Sequence, residues 1–397
     1  MWELDGAVPG TFGEIRLTLI PKGGEATSHP WQYVSPYQGY THKVFLEDLQ
    51  PATTYTILLE GRKKAGTPIA KTSGHFRTLP PADEVVPVTF TSSTCQYFWD
   101  YDDPVRGFRI YDAMRELKPA FHCQTGDYVY YDKPGPLAKT VALARHKWTA
   151  INAWPSLRDF YTEVPLFIQR DDHDVLDDDA HPASEPYGEL TFSDGLLLWN
   201  EQTPTDPDHP YRRIRYGKDL EIWLVEGRAL RTPNPEPDGP EKSIWGKEQV
   251  EWFKETLRAS DATFKILMSP TPVVGPDRTN KSDNHANANY AAEGRWLRRF
   301  LANQPNTFVV NGDRHWQYVS RDTETGLYEF SQGPSSDEHA QGWKKGDQRE
   351  EHEFLRVAGG FLSVTVSRKN ENPTICFRHH DTRGVVVNEK MIVGSGN

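Results

Sequence analysis

Apolar and polar residues alternate along the first eighty positions of the chain, and the pattern then changes. In residues 14–19 apolar side chains occupy every second position, residues 55–59 follow a similar pattern, and proline and glycine separate such stretches. A period of two is typical of strands in an antiparallel sheet with one buried face. The pattern therefore predicts a small β-sandwich at the N-terminal end of the chain.

A proline-rich segment ends this region. Residues 79–83 contain two consecutive prolines, which cannot extend a central strand and which stiffen a connection. We therefore predict a domain boundary there, with one domain over residues 1–83 and a second over residues 84–397.

Residues 49–55, just before one of the predicted strands, read L-x-P-x-T-x-Y. This pattern resembles the corner of fibronectin type III domains. The resemblance implies that the Tyr55 hydroxyl ties a loop back onto the sheet.

Beyond the boundary, short apolar runs alternate with segments of helical period, which indicates an α/β core. In residues 106–117 and 250–257, apolar side chains recur on one helical face. The predicted strands of the core cover residues 87–92, 120–125, 165–170, 221–225, 264–268 and 307–311, and the chain returns to strand-like sequence at 327–330, 361–367, 374–378 and 385–387.

Charge and hydropathy exclude two classes of protein. The chain has 45 Lys and Arg against 56 Asp and Glu, a net charge of −11, so we expect no nucleic-acid-binding surface. We find no apolar run long enough for a membrane span and no basic-then-apolar leader, so neither a span nor a signal peptide is expected in this chain. The sequence gives no sign of an oligomeric state.

Three cysteines exclude a disulfide scaffold. Cys95, Cys123 and Cys376 are too few for one, and they show neither a C-x-x-C nor a zinc-knuckle spacing. In an oxidising compartment one pair could form, and at least one thiol would stay free or bind a ligand.

Several predicted core strands end in residues of the metal-ligand type. Cys95 follows the first, Asp127 the second, residues 171–174 the third, and Asp313 with His315 the last. Because the carboxyl ends of strands in an α/β sheet converge on a ligand-binding crevice, these side chains can form one cluster. Clustering this many carboxylates without a cation is strongly unfavourable, so the pattern predicts a metal site.

The same segments resemble, in order and spacing, the signatures of PhoD-like phosphatases (alkaline phosphatase D), a branch of the calcineurin-like metallophosphoesterases. The resemblance covers nearly the whole chain and implies a metallophosphoesterase α/β/β/α sandwich behind the N-terminal β-sandwich. The matching segments are T-C-Q at 94–96, G-D-Y-V-Y at 126–130, R-D-D-H-D at 170–174 and N-G-D-R-H-W at 311–316, with supporting stretches at 145–155 and 245–252.

The resemblance also implies roles for the site residues. Thiolate and phenolate donors at Cys95 and Tyr130 suit Fe³⁺, and carboxylates suit Ca²⁺. Asp127 would bridge the two metals. The remaining implied metal ligands are Asp172, Asp313 and His315, with aspartate at 313 fitting Ca²⁺ better than zinc.

The implied reaction is hydrolysis of a phosphate monoester or diester by in-line attack of a metal-bound hydroxide. His173 is expected to face the substrate, where it would stabilise the transition state or protonate the leaving oxygen. Arg228 either forms an ion pair with Glu226 or holds a substrate phosphate. Asn284 and His285, in an Asn-rich loop, either form a helix cap or contact calcium or substrate.

Two further hypotheses stay open at this point. The same fold and metals could act on sulfate esters or on phospholipid head groups. Alternatively, the chain could be a calcium-stabilised binding protein with a relic metal site, although calcium alone has little use for sulfur, phenolate and imidazole donors. Family resemblance leads us to expect a periplasmic or secreted protein.

Overall fold

The computed structural model describes residues 10–63 and 66–394. At the N-terminal end, five strands form one antiparallel sheet in the order β2-β1-β4-β5, with β3 paired to β1. Residues 1–9 of the predicted first domain lie outside the described part. The five strands are β1 (Gly13–Pro21), β2 (Thr27–Ser28), β3 (Gln32–Val34), β4 (Thr54–Arg62) and β5 (Pro68–Arg77).

Within residues 10–63 and 66–83, a loop rather than a second sheet covers the apolar face of this N-terminal sheet. Val44, Leu46 and Leu49 pack against a small core around Leu17 and Tyr55. The Tyr55 hydroxyl accepts a hydrogen bond of 2.9 Å from the backbone N–H of Gln50, as the predicted corner requires. The fibronectin type III assignment and the boundary at residue 83 stay predictions.

The rest of the chain contains two sheets that face each other. The first has six strands in the order β18-β17-β16-β6-β7-β8, with β6, β7 and β8 parallel to one another. Its strands are β6 (Val88–Ser93), β7 (His122–Thr125), β8 (Leu166–Gln169), β16 (Phe361–Lys369), β17 (Asn372–His380) and β18 (Val386–Val393).

The second sheet has seven strands in the order β15-β13-β14-β12-β11-β10-β9. Its central strands β10, β11, β12 and β14 are parallel, and the outer strands are antiparallel. The strands are β9 (Arg212–Tyr216), β10 (Leu220–Leu224), β11 (Phe264–Ser269), β12 (Thr307–Asn311), β13 (Gln317–Arg321), β14 (Tyr328–Gln332) and β15 (His352–Arg356).

Helices cover the outer faces of the two sheets, which gives the α/β/β/α sandwich expected from the resemblance. One buried core lies between the sheets and includes Phe90, Ile266 and Phe377, and two further cores lie beneath the helices. Helices α1 to α4 lie on the six-stranded sheet, and α5 and α6 lie on the seven-stranded sheet. Their bounds are α1 (Arg109–Glu116), α2 (Val141–Asn152), α3 (Pro155–Tyr161), α4 (Phe192–Gln202), α5 (Gly246–Ala259) and α6 (Ala291–Ala302).

All ten strand segments predicted beyond the boundary coincide with observed strands, to within a few residues at their ends. The sequence analysis missed β9, β13 and β15. β9 and β15 are the two edge strands of their sheet, and their polar sequences lack an apolar alternation.

Candidate metal centre

The strand ends that carry the predicted ligands converge, but they come from both sheets rather than from one. Cys95, Asp127 and Asp172 follow β6, β7 and β8 of the six-stranded sheet, whereas Asp313 follows β12 of the seven-stranded sheet. The centre therefore lies at the edge where the two sheets meet. Ligand atoms of Cys95, Asp127 and His315 lie within 4.8 Å of one another, and so do ligand atoms of Asp127, Asp172 and His173.

Three of these residues have a left-handed backbone conformation. The φ angles are +50° at Cys95, +56° at Asp127 and +62° at Asp313. For a non-glycine residue this conformation costs about 1–2 kcal/mol and is found preferentially at functional sites. In each case the turn directly follows a strand and directs the side chain into the centre.

Two glycines permit these sharp turns. Gly126 has a φ of +101°, and a Cβ there would lie 2.5 Å from the Cβ of Asp171. A Cβ on Gly312 would overlap the carbonyl oxygen of Thr125 and lie 2.7 Å from that of Pro270. Steric crowding thus explains why a glycine directly precedes both Asp127 and Asp313.

The first cluster of donors surrounds one oxygen of Asp127. The Cys95 Sγ lies 3.3 Å and the Tyr130 hydroxyl 3.0 Å from Asp127 Oδ2, and the same hydroxyl lies 3.5 Å from His315 Nε2. Burial raises the pKa of both the Cys95 thiol and the Tyr130 phenol, and the negative charge of Asp127 raises both further by a smaller amount. Burial, together with the neighbouring histidines, lowers the pKa of His315, so its ring is neutral, as a metal ligand must be.

The second cluster is held in place by buried arginines. Arg228 is fully buried, donates from Nε to Asp171 and lies with Nη2 3.4 Å from Asp172 Oδ1. Burial raises the pKa of Asp172, but the charges of Arg228, His173 and Lys281 bring it below its ordinary value. Asp313 lies 2.7 Å from Arg314, yet burial raises the pKa of the Asp313 carboxyl to about 6.

Asp174 organises the backbone beneath the cluster. Its two carboxylate oxygens accept hydrogen bonds of 2.8 and 2.9 Å from the backbone N–H groups of Asp127 and Val129, and a third of 2.9 Å comes from Asp171. The D-D-H-D segment therefore contributes both donors and the support for the neighbouring strand end.

The donors present fit a metal. Asp127 Oδ1 and Asp172 Oδ1 are buried carboxylate oxygens of the centre that accept no hydrogen bond among the described residues, although burying such an oxygen without a partner is costly. A cation would satisfy both, and the thiol, phenol and imidazole of Cys95, Tyr130 and His315 are the softer donors that transition metals prefer. Buried oxygens of Asp171, Asp283 and Asp313 also lack a hydrogen bond within the described part of the chain, and that of Asp313 lies 2.7 Å from Arg314.

His173 lies beside both clusters. Its Nδ1 is 2.7 Å from Asp132 Oδ1, and its ring packs on Tyr130 with 4.4 Å between centroids. Burial lowers the pKa of His173, but the carboxylates of Asp172, Asp127 and Asp132 raise it well above its ordinary value. Its side chain is 12% exposed, and Nε2 lies 3.9 Å from Asp178 Oδ1.

The three candidate substrate contacts are engaged elsewhere. Arg228 is buried beside the carboxylates of Asp171 and Asp172, and Glu226 pairs with Arg170 at 2.9 Å instead of with the Arg228 guanidinium. His285 is buried, bonds to Glu293 at 3.0 Å and packs on Trp245. The Asn284 side chain bonds to Asp277 and Asp283. These contacts favour an organising role for all three residues.

Sequence reasoning missed two residues of the centre. Asp283 is buried, has one unbonded oxygen and faces Arg314 at 3.4 Å. His339 bonds with Nε2 to the Tyr130 hydroxyl at 3.0 Å, and its ring packs against His315 at a tilt of 44°. Burial lowers the pKa of His339. Both residues lie in long loops whose sequences have neither a strand period nor a helical period. The only signal in the sequence was that each residue is polar, and the position of the loop at the site became apparent only in the structure.

Solved structures of two phosphatases share this fold. The structure of PhoD matches with a TM-score of 0.75 at 16% identity, covering 98% of this chain and 84% of that one. The purple acid phosphatase PPD1 from yellow lupin (Lupinus luteus) seeds matches with a TM-score of 0.69 at 13% identity, covering 96% and 70%. Two facing sheets between helical layers, with donors at the strand ends, define the metallophosphoesterase fold.

The chain belongs to the PhoD-like phosphatase family, whose model matches residues 90–389. Alkaline phosphatase D of Bacillus subtilis (strain 168) is 22% identical over 344 residues, which are 73% of this chain and 55% of that protein. The chain thus spans about half the length of this curated relative.

Two other sequence expectations concern thiols and membranes. Cys95, Cys123 and Cys376 are all buried free thiols. Within residues 10–63 and 66–394, none of the helices combines the length and apolar character needed to cross a bilayer.

Proposed function

We propose that this chain hydrolyses phosphate esters at the centre between the two sheets. One observation carries the proposal: ligand atoms of Cys95, Asp127 and His315, and those of Asp127, Asp172 and His173, lie within 4.8 Å of one another at converging strand ends, where Asp127 Oδ1 and Asp172 Oδ1 have no hydrogen bond from any described residue. Membership of the PhoD-like phosphatase family supports the same reaction class.

Two metal positions fit the donors. Cys95, Tyr130 and His315 would hold Fe³⁺ with Asp127, which would also reach the second position. Asp172 and Asp313 would hold Ca²⁺ there, because this position offers oxygen donors. When bound, such ions acidify a water molecule and neutralise charge on the phosphoryl group.

The chain's own groups supply orientation and a proton. Asp132 accepts a hydrogen bond from Nδ1–H of His173 and so fixes the ring with Nε2 towards the centre. His173 Nε2–H would then donate to the leaving oxygen of the ester as its bond to phosphorus breaks. Arg228 acts behind Asp172, where it keeps this carboxylate ionised and oriented.

Two cations near the centre support an anionic substrate. Lys133 lies over the rings of Tyr97 and Tyr130, at 5.6 and 5.3 Å, and among the described residues no carboxylate pairs with it. Arg278 lies over Trp316, and its Nε forms an ion pair of 3.8 Å with Asp277. Positive charge near the centre of an otherwise acidic protein favours approach of a phosphate ester.

The reaction and the metals are tested together. The protein is purified without chelator, its metals are measured by elemental analysis, and rates are compared on 4-nitrophenyl phosphate, bis(4-nitrophenyl) phosphate and 4-nitrophenyl sulfate. We expect iron and calcium, and hydrolysis of one or both phosphate esters at least tenfold faster than of the sulfate. A faster sulfate ester would support the sulfatase alternative, and calcium without iron or activity would support a binding protein.

We further propose that the protein acts in the periplasm or outside the cell. Calcium sites of extracellular proteins work at calcium concentrations that the cytosol does not reach. Fractionation of cells that express the natural gene, followed by immunodetection, tests this location, and protein confined to the cytosol would contradict it.

A further inference from the structure

His339 contacts two of the proposed iron ligands without being one itself. Its side chain is buried in the loop between β14 and β15, Nε2 lies 3.0 Å from the Tyr130 hydroxyl, and the ring centroid lies 4.2 Å from that of His315. On its other side, Nδ1 forms a short hydrogen bond with a carboxylate oxygen of Asp100.

The loop that carries His339 is fastened to the strand end that carries Cys95. Pro334 pairs with Thr94 as in a parallel sheet. The Ser335 N–H donates to the Cys95 carbonyl at 3.2 Å, and the Ser335 hydroxyl donates to the Thr94 carbonyl at 2.8 Å. The position of His339 is therefore set by the same backbone that sets Cys95.

The Tyr130 hydroxyl has one hydrogen and two acceptors at equal distance. Asp127 Oδ2 and His339 Nε2 each lie 3.0 Å from its oxygen. On the other side of the ring, Asp100 bonds to His339 Nδ1, so the imidazole is held between Asp100 and the Tyr130 hydroxyl.

We propose that Asp100 and His339 form a positioning pair for Tyr130. The pair holds the phenol oxygen beside Asp127 and His315, and the His339 ring packs against the His315 ring and so limits its orientation. The proposal rests on the proposed function, because it presupposes that Tyr130 binds a metal. Groups that orient metal ligands in this way commonly change metal affinity by about 10–100-fold when they are replaced.

If His339 only filled space beside His315, any aromatic ring at position 339 would be sufficient. The His339→Phe variant keeps an aromatic ring that can pack against His315 and removes both hydrogen bonds. The Asp100→Asn variant keeps His339 and weakens the hydrogen bond at its Nδ1. His352→Phe is the matched control, because His352 is a buried histidine that packs on Tyr318 and Trp343 outside the centre.

The readouts are metal retention and the visible absorption of the metal-loaded protein. Each variant is loaded with Fe³⁺ and Ca²⁺, its tyrosinate charge-transfer band is recorded, and loss of iron to a chelator is timed. We expect His339→Phe to shift or weaken the band and to lose iron at least about tenfold faster than wild type. Asp100→Asn should change both readouts in the same direction by a smaller factor, and His352→Phe should match wild type.

The outcomes separate this proposal from the proposed function. Wild-type band and iron retention in folded His339→Phe would overturn the positioning role while leaving hydrolysis untouched. If His339→Phe does not fold, His339→Gln replaces it, and wild-type values there overturn the role equally. If the wild-type protein retains another metal instead of iron, the rate at which each variant loses that ion is compared with the wild-type rate and decides whether the positioning role holds. A wild-type protein that retains no metal would overturn both proposals.

Discussion

Gly312 and Thr125 bring the ends of the two sheets into contact: a Cβ on Gly312 would overlap the Thr125 carbonyl oxygen. Thr125 ends β7 of one sheet and Gly312 follows β12 of the other. The approach is only as close as a glycine allows, and it places Asp313 opposite Asp127.

Replacing Gly312 by alanine should therefore separate the strand ends. We expect Gly312→Ala to lower the free energy of unfolding by about 1–3 kcal/mol and to reduce bound metal. Gly239→Ala is the control, because a Cβ there meets no atom within 4 Å. Equal stability and equal metal content in the two variants would contradict this account.

Asp127→Asn should uncouple metal binding from stability. Burial, with the carboxylates of Asp172, Asp171 and Asp174, raises the pKa of Asp127 well above its ordinary value, so the metal-free centre is strained by its own charges. Chelation should thus lower the melting temperature of wild type. In the variant, we expect little metal and the same melting temperature with and without chelator, measured by calorimetry and elemental analysis. A variant that retains wild-type metal content would exclude Asp127 as a ligand.

Arg228→Met should cost stability rather than substrate affinity. The Arg228 guanidinium is fully buried against Asp171, and removing one partner of a buried ion pair leaves an uncompensated charge. We expect a loss of about 3–5 kcal/mol in denaturant unfolding, partly restored in the Arg228→Met/Asp171→Asn double variant. The exposed Arg383→Met should change stability by less than about 0.5 kcal/mol. Unchanged stability with a raised KM in Arg228→Met would instead indicate substrate binding.

His122 should make the protein acid-sensitive. It lies on β7 between the hydroxyls of Thr91 and Ser93, at 3.0 and 3.1 Å, and burial lowers its pKa to about 3. The folded state keeps the ring neutral, whereas the unfolded chain binds a proton below about pH 6.5. Stability is therefore fully present above pH 6.5 and falls as the pH drops towards 3.

For this single group we expect a loss of about 2 kcal/mol between pH 7.5 and pH 5. Comparing His122→Gln with wild type, both metal-free, isolates the contribution, since the variant should lose less stability over the same interval. Parallel curves for the two proteins would show that His122 does not titrate as described.

Tyr55→Phe should weaken only the N-terminal sheet. It removes the hydroxyl that accepts from Gln50 N–H, a loss of about 1 kcal/mol. The control is Tyr37→Phe, because the Tyr37 side chain is 88% exposed. Hydrogen exchange should rise in β4 and β5 of the variant, with metal content unchanged. A uniform rise across the chain would indicate that this region does not unfold separately.

The sequence determined the interior strands and most of the predicted site. Strands such as β11 and β12 are apolar throughout because both of their faces are buried, and this produces a recognisable run. Cys95, Asp127 and Asp313 could be found because each directly follows such a run, and Gly126 and Gly312 mark the turns. Local pattern is enough wherever a residue's role is fixed by the strand beside it.

Tertiary structure decided the rest. Which sheet each strand end belongs to depends on pairings between residues far apart in the chain, and no local period encodes them. His339 reaches Tyr130 across 209 positions, and Arg228 reaches Asp171 across 57, so neither partner could be read from its neighbours. The Glu226 carboxylate pairs with the guanidinium of Arg170, although the guanidinium of Arg228 is closer in sequence. Local periodicity reports burial, whereas the charges and hydrogen bonds of the centre are matched only when the two sheets pack together.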